Sequence, residues 1–278
     1  MMNGHTDLDL SLHVAAAFDT IAERFDEELE NNITRRIRGR IYSTIEDLVR
    51  PGASVLDMNC GTGIDAIALS LRGYDVTGID ISSKMVQQAR RKASRARLHG
   101  IRFLIGSFEG ISELVDPPFD LVLSNFGGLN CTGNLSAVAL EVARVIAPSG
   151  FLLAVVMPPF SLWESLSYAV RGQWGSVMRR LRSQATATGF DGKTFIVHYY
   201  APTSSVQAFR PWFDVKRITG ICALAPTPQS SSFARRHPKL TRGLETLDSL
   251  IGGLPLVRSI GDHYMIVLER RPSRPFRR

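Results

Sequence analysis

The residues best placed to do chemistry lie in one run, Val55-Leu56-Asp57-Met58-Asn59-Cys60-Gly61-Thr62-Gly63, a short apolar stretch that ends in an acid and breaks into a glycine turn. In open α/β sheets, ligands bind at this carboxyl end of a strand. Gly61 and Gly63 let a ligand approach the backbone and let the turn take positive φ. Asp80 follows Gly61 by 19 residues, the distance at which a carboxylate accepts both hydroxyls of a ribose. Together these residues describe a nucleoside-containing ligand. Gly61-Thr62-Gly63-Ile64-Asp65-Ala66 also satisfies the G-x-G-x-x-A form of a dinucleotide fingerprint. Asp57 separates the two cofactor classes. A carboxylate four residues ahead of the first glycine is a poor neighbour for a pyrophosphate and suits a ligand carrying a positive charge and an ammonium group.

The elements around this turn follow from periodicity. Phe18, Ile21, Ala22, Phe25 and Leu29, then Ile33, Ile37, Ile41, Ile45 and Leu48, recur at three- and four-residue steps and predict helices over the first 50 residues, stopped by Pro51-Gly52. Strands are expected at 54–57, 74–79, 101–105, 119–124 and 151–156, with helices at 64–71, 83–98 and 135–146 between them. That alternation implies a doubly wound parallel sheet. After Pro158-Pro159, residues 160–192 read as an insertion of helix and loop with large side chains. A strand at 194–200, a helix at 204–213, a strand at 215–223, a loop to His237, a helix at 240–251 and a last strand at 263–268 complete the chain.

Asp57, the glycine turn and Asp80 resemble the first motifs of the class I S-adenosylmethionine-dependent methyltransferases, over roughly residues 15 to 157. The resemblance implies a Rossmann-like, seven-stranded sheet, mostly parallel with an antiparallel last strand, plus N-terminal helices and an inserted lid. It implies that Asp57, Asn59, Cys60, Gly61 and Gly63 line the methionine end of S-adenosylmethionine, that Asp80 binds its ribose and that Ile81 and Met85 pack on its adenine. Ser107 stands where the family often has an acid for the adenine amine, with Phe108 able to cover the ring. Asn125 ends the fourth strand beside the expected transferring methyl. Ala147-Pro148-Ser149-Gly150 matches the family's turn before the fifth strand loosely. At Asn59 the family usually has glycine; asparagine is among the few residues that tolerate the left-handed region. The N-terminal Phe18-Asp19 and Phe25-Asp26 resemble the cofactor-covering segment of the quinone- and biotin-pathway methyltransferases. The implied organisation is a helical cap at 1–50, the donor-binding core at 51–157, a substrate lid at 158–200, completion of the sheet at 201–269 and a basic tail at 270–278.

On the acceptor side, His198 is a candidate general base, and Phe18, Trp163, Tyr199 and Tyr200 are candidate substrate contacts. A structural role in the insertion's own core is the competing reading for His198 and for the aromatics. Met157-Pro158-Pro159-Phe160 imitates an amino-methylating motif but follows the wrong strand and lacks an amide or acid to hold an amine. Cys60, Cys131 and Cys222 are too far apart to suggest a disulfide framework or metal site; they point to a reducing, cytoplasmic setting and to inert thiols. No signal-peptide pattern or membrane span is expected.

The formal net charge of +7 invites a polyanionic partner. Residues 270–278 hold five arginines and no acid, however, so the first 269 residues carry 28 basic against 26 acidic side chains, a net of +2. The basic helix Arg90-Arg91-Lys92 to Arg97 keeps an RNA or protein methyltransferase open, and a non-catalytic binding protein is a third reading. The favoured expectation is methyl transfer to a small-molecule acceptor with release of S-adenosylhomocysteine, no metal and no nucleic acid.

Overall fold

The computed structural model describes residues 7–182, 184–188 and 192–272. Three helices open the chain: α1 (Asp7–Ile21), α2 (Phe25–Leu29) and α3 (Asn32–Leu48). Strand and helix then alternate as β1 (Ser54–Asp57), α4 (Ile64–Ser70), β2 (Asp75–Asp80), α5 (Ser83–Arg95), β3 (Arg102–Ile105), α6 (Ile111–Leu114), β4 (Phe119–Ser124), α7 (Leu135–Val145) and β5 (Ile146–Val156). The insertion carries α8 (Leu162–Val170), α9 (Trp174–Val177) and the strands β6 (Gln184–Thr188) and β7 (Thr194–His198). After it come α10 (Pro202–Phe209), β8 (Phe213–Ile221), α11 (Ser231–Arg236), α12 (Pro238–Ile251), α13 (Val257–Ile260) and β9 (His263–Arg270).

Seven strands form one sheet in the order β3-β2-β1-β4-β5-β9-β8, while β6 and β7 pair only with each other. β9 runs antiparallel to both neighbours, β5 and β8, and the other neighbouring pairs are parallel. This is the expected sheet with its antiparallel last strand. Strand ends shift by a few residues: β5 starts five residues early, and Phe213 opens β8 instead of closing α10. The segment read as a loop before His237 contains α11.

Alternation along the strands loads both faces with apolar side chains, as a doubly covered sheet requires. Val122, Leu152, Ala154, Ile266 and Leu268 join one buried cluster with α7 and α10; Leu121, Leu123, Leu153, Val155 and Val267 join the other with α3, α4 and α5. The isoleucine stripe Ile33, Ile37, Ile41 and Ile45 is buried against this second face. The segment expected as one N-terminal cap therefore divides. α3 is a layer of the core, and α1 and α2 remain to cover the carboxyl edge of the sheet.

The insertion is anchored to that same edge. β9 begins where β5 ends, with Val156 opposite Tyr264, and Asp262 lies just before it. Arg180, buried, donates to the Asp262 carboxylate at 2.8 Å and to its carbonyl at 2.9 Å, and also pairs with Glu164 of α8. Burial would raise Asp262, but His263 and Arg180 hold its carboxyl well below the usual range. Removing one partner of a buried ion pair leaves the other charge uncompensated. Arg180→Ala is therefore expected to lower stability by about 3 kcal/mol in denaturant unfolding, with an Arg180→Ala/Asp262→Asn double variant recovering part of the loss.

Candidate functional site

The strand order reverses between β1 and β4, and ligands of open α/β sheets bind at such a switch point. Here the chain leaves a cleft with about 970 Å³ of empty space, part of it open to solvent. Its floor is the turn after β1. Cys60 N–H donates to the Ile79 carbonyl at 2.8 Å and Gly63 N–H to the Cys60 carbonyl at 2.8 Å, closing the turn onto β2. Gly61 N–H donates to Asp80 Oδ2 at 2.8 Å, and Ser82 N–H to Asp80 Oδ1 at 2.9 Å. Asp80 thus lines the cleft with acceptor capacity left on both oxygens. Burial pushes its carboxyl up to about 6, against the pull of those two N–H groups.

The two turn glycines do different work. A Cβ on Gly61 would meet nothing within 4 Å, so the space above it is open to a ligand. Gly63, at φ +79°, is pressed against α5, where a Cβ would lie 2.8 Å from that of Ala89. Gly63 supports the turn and is not part of the cleft lining, whereas Cys60, Gly61 and Thr62 are.

Two expectations for this turn change. Asp57 lies below the cleft lining, 1% exposed, and neither carboxylate oxygen has a hydrogen-bond partner. Burial, and then the charge of Asp65, push its carboxyl well above the usual range. Asn59 does not take positive φ. Its side chain instead crosses to the end of β4: Nδ2 donates to the Asn125 carbonyl at 2.8 Å and Oδ1 accepts from Ser124 Oγ at 2.7 Å. The room for that side chain comes from Gly128, where a Cβ would fall 2.3 Å from Asn59 atoms.

Asn125, buried and lining the cleft, is likewise committed. Its Nδ2 donates to Asp65 at 2.9 Å, and its Oδ1 accepts the Phe126 N–H at 2.8 Å. Asp65 also accepts from Tyr42 at 2.5 Å and pairs with Arg38, which pairs in turn with Glu30. Arg38 lies 4.6 Å over the Phe126 ring. Sequence reasoning missed Arg38 and Tyr42 because they sit on the polar edge of a helix read only for its isoleucine stripe. Among the residues that line the cleft, Arg38 is the one cation, against Asp65, Asp80 and Glu109.

The repeated Phe-Asp pairs act as covers with clasps. Phe18 and Phe25 both line the cleft, ring centroids 6.4 Å apart. Asp19 accepts from Ser82 Oγ at 2.5 Å and from the Lys84 N–H at 3.0 Å, at the start of α5. Asp26 accepts from Thr62 Oγ1 at 2.5 Å and pairs with Lys92 at 2.5 Å. Lys92 was part of the basic helix that kept a nucleic-acid partner open, and it is spent inside the protein. Arg90 likewise donates to the Phe103 carbonyl at 2.6 Å. Ile81, Met85, Ser107 and Phe108 line the cleft, and Ser107 Oγ donates to Glu109 at 3.0 Å.

The acceptor-side candidates separate. Phe18 lines the cleft; His198, Trp163, Tyr199 and Tyr200 do not. Trp163 Nε1 donates to Ser230 at 2.8 Å and its ring meets Phe233, so it fastens the insertion to the segment at α11. Tyr199 lies under Arg180, and Tyr200 donates to the Thr132 carbonyl at 2.5 Å with the His198 ring stacked on it. Asn130, missed in the sequence, links these parts: Oδ1 accepts the Met157 N–H at 2.8 Å, and Nδ2 donates to the carbonyls of Met157 and His198 at 3.0 and 2.5 Å. Met157 of the imitated motif is thus held by its backbone. Burial pushes the Cys131 thiol up to about 12 and the Cys60 thiol well above its usual value, so neither is a ready nucleophile.

The Asn59–Gly128 contact is testable by a double-mutant cycle. Gly128→Ala is expected to cost about 2 kcal/mol through the clash. Asn59→Gly is expected to cost about 2 kcal/mol through two lost hydrogen bonds and added chain entropy. The double variant should cost clearly less than their sum in thermal or urea unfolding.

Comparison with known proteins agrees with this geometry. Residues 55–150 match a methyltransferase domain family. The chain is 32% identical over 165 residues to a demethylmenaquinone methyltransferase of Beutenbergia cavernae, covering 57% of this chain and 65% of that protein, just under two thirds of its length. It is 29% identical over 204 residues to a malonyl-[acyl-carrier protein] O-methyltransferase of Salmonella typhimurium, covering 72% and 73%. In structure it resembles an S-adenosylmethionine-dependent methyltransferase from Mesorhizobium loti, with TM-score 0.55 at 15% identity over 82% of this chain and 97% of that one. The glycine turn and Asp80 both fall inside the segment that matches the methyltransferase domain family.

Proposed function

We propose that this protein transfers a methyl group from S-adenosylmethionine to a small, partly apolar acceptor in the cytoplasm. The observation that carries the reading is Asp80, fixed through both oxygens by the N–H groups of Gly61 and Ser82 beside the open space above Gly61. A carboxylate so placed suits the two vicinal hydroxyls of a ribose. Ile81, Met85 and Phe108 offer apolar contact to an adenine, with Ser107 at its edge. The acids that line the cleft, Asp65, Asp80 and Glu109 around the single cation Arg38, suit an ammonium and a sulfonium better than a pyrophosphate. When bound, the cofactor supplies a methyl already activated on sulfur and leaves as S-adenosylhomocysteine.

What the chain adds is position and dryness. Phe18 and Phe25, clasped by Asp19 and Asp26, cover the donor end, and orientation of two reactants in a water-poor site is worth up to about 7–11 kcal/mol. Asn125 is read as a positioning residue, since both ends of its amide are committed. The reading uses no general base: His198 lies outside the cleft lining. α1 and α2 cover the donor end, the insertion at 158–200 is assigned to the acceptor side as its lid, the segment 51–157 binds the donor, and 201–269 completes the sheet. The relatives named for demethylmenaquinone and malonyl-acyl-carrier-protein methylation make a quinone ring and an acyl thioester the first acceptors to try.

Calorimetric titration should show binding of S-adenosylmethionine and S-adenosylhomocysteine but not NAD; the reverse would sink the proposal. Incubation with labelled cofactor and a demethylated naphthoquinone or a malonyl thioester should label one of them, and no labelled product from these or a host extract would leave a binding protein without catalysis. The ribose hydroxyls need Asp80 ionised, so affinity for S-adenosylhomocysteine is expected to be flat above about pH 7 and to fall as pH drops through about 6, approaching tenfold per pH unit. Asp80→Asn should lower affinity at pH 8 and abolish that slope.

A further inference from the structure

A second cavity lies where α3 meets α11 and α12, with about 1000 Å³ of empty space, part of it open to solvent. Four arginines line it, Arg35 and Arg36 from α3, Arg235 from α11 and Arg242 from α12. Arg36 pairs with Glu245 at 2.8 Å, and Arg35 donates to the neutral amide oxygen of Asn32 at 3.2 Å. Among the described residues, no carboxylate pairs with Arg235 or Arg242. The other lining acid, Glu30, is held by Arg38 at 3.0 Å in the wall shared with the donor cleft. Three guanidiniums thus share one groove without a carboxylate partner, and like charges so gathered repel until an anion joins them.

A second feature also points to a ligand. Thr241 lines the groove, is 2% exposed, and its hydroxyl has no hydrogen-bond partner; an unpaired buried hydroxyl costs about 1–3 kcal/mol. The positive end of the 17-residue helix α3 adds to the field here. Guanidinium forks match phosphate oxygens in pairs. No aromatic side chain lines the groove on which a nucleic-acid base would stack.

We propose that this groove binds a phosphate group of a small ligand, gripped by Arg35, Arg235 and Arg242 with Thr241 as a hydroxyl donor. The inference does not rest on methyl transfer, so its test leaves that reading standing. Titration calorimetry of the full chain with inorganic pyrophosphate, against acetate at equal ionic strength, reads the site. The expected result is saturable pyrophosphate binding, no saturable heat from acetate, and at least about tenfold weaker pyrophosphate binding in an Arg235→Ala/Arg242→Ala double variant. Both arginines are exposed, so the variant should keep its melting temperature. No saturable heat, an equal response to acetate, or an affinity unchanged in the double variant overturns the site. Tighter binding of polyadenylate RNA than of pyrophosphate, lost in the same variant, overturns the small ligand in favour of a nucleic-acid surface.

Discussion

Two backbone hydrogen bonds to the Asp80 carboxylate, from Gly61 at 2.8 Å and Ser82 at 2.9 Å, hold the turn after β1 and the turn after β2 in one frame. Much else hangs from that frame. Ser82 is the N-cap of α5, accepting the Met85 N–H at 3.1 Å, and its hydroxyl reaches Asp19 of α1. The covering helix α1 is therefore registered on the Asp80 end of the cleft through Ser82. Thr62, next to Gly61, holds α2 through Asp26. The turn that a ligand must touch is also the turn that fastens the covering helices.

Charge distribution, more than net charge, distinguishes the two cavities. The chain as a whole carries +7, yet the donor cleft is lined by acids around one arginine, itself bound to Asp65 and Glu30. Such a site favours a cation and works against the pyrophosphate that the dinucleotide fingerprint alone would have admitted. The excess of guanidinium sits elsewhere, in the α3–α12 groove and in the arginines that close the sequence. The Glu30–Arg38 pair stands between the two environments, each partner lining a different cavity.

The sheet and the turn after β1 were legible because they rest on local rules: apolar alternation, glycine turns and an acid at the end of each of the first two strands. Asp80, Gly61, Ile81, Met85 and Phe108 all line the cleft. The misreadings share another cause, since each depended on contacts distant in sequence. Lys92 looked like part of a solvent-facing basic face, but its partner Asp26 is 66 residues away. Trp163 looked like a substrate wall, and its indole partner Ser230 lies 67 residues on. Nothing in the local pattern of α3 shows that its polar edge reaches Asp65. Composition and period specify which face is buried; which polar groups then meet is decided by how the layers close.

Asn59 shows how such a distant contact changes the meaning of a motif. Read locally, an asparagine in a glycine position has to be excused by its tolerance of positive φ, and that account fails here because the residue does not take positive φ. The side chain is accommodated across the cleft instead, by the missing Cβ of Gly128, and its amide ties the ends of β1 and β4 together. The small residue has in effect moved from one side of the contact to the other. The space that a glycine at position 59 would leave open is filled by a polar link, which stiffens the switch point between β1 and β4. A departure from a family pattern is then a statement about a pair of positions, and its effect on cofactor affinity follows from the rigidity of that pair as much as from the residue that differs.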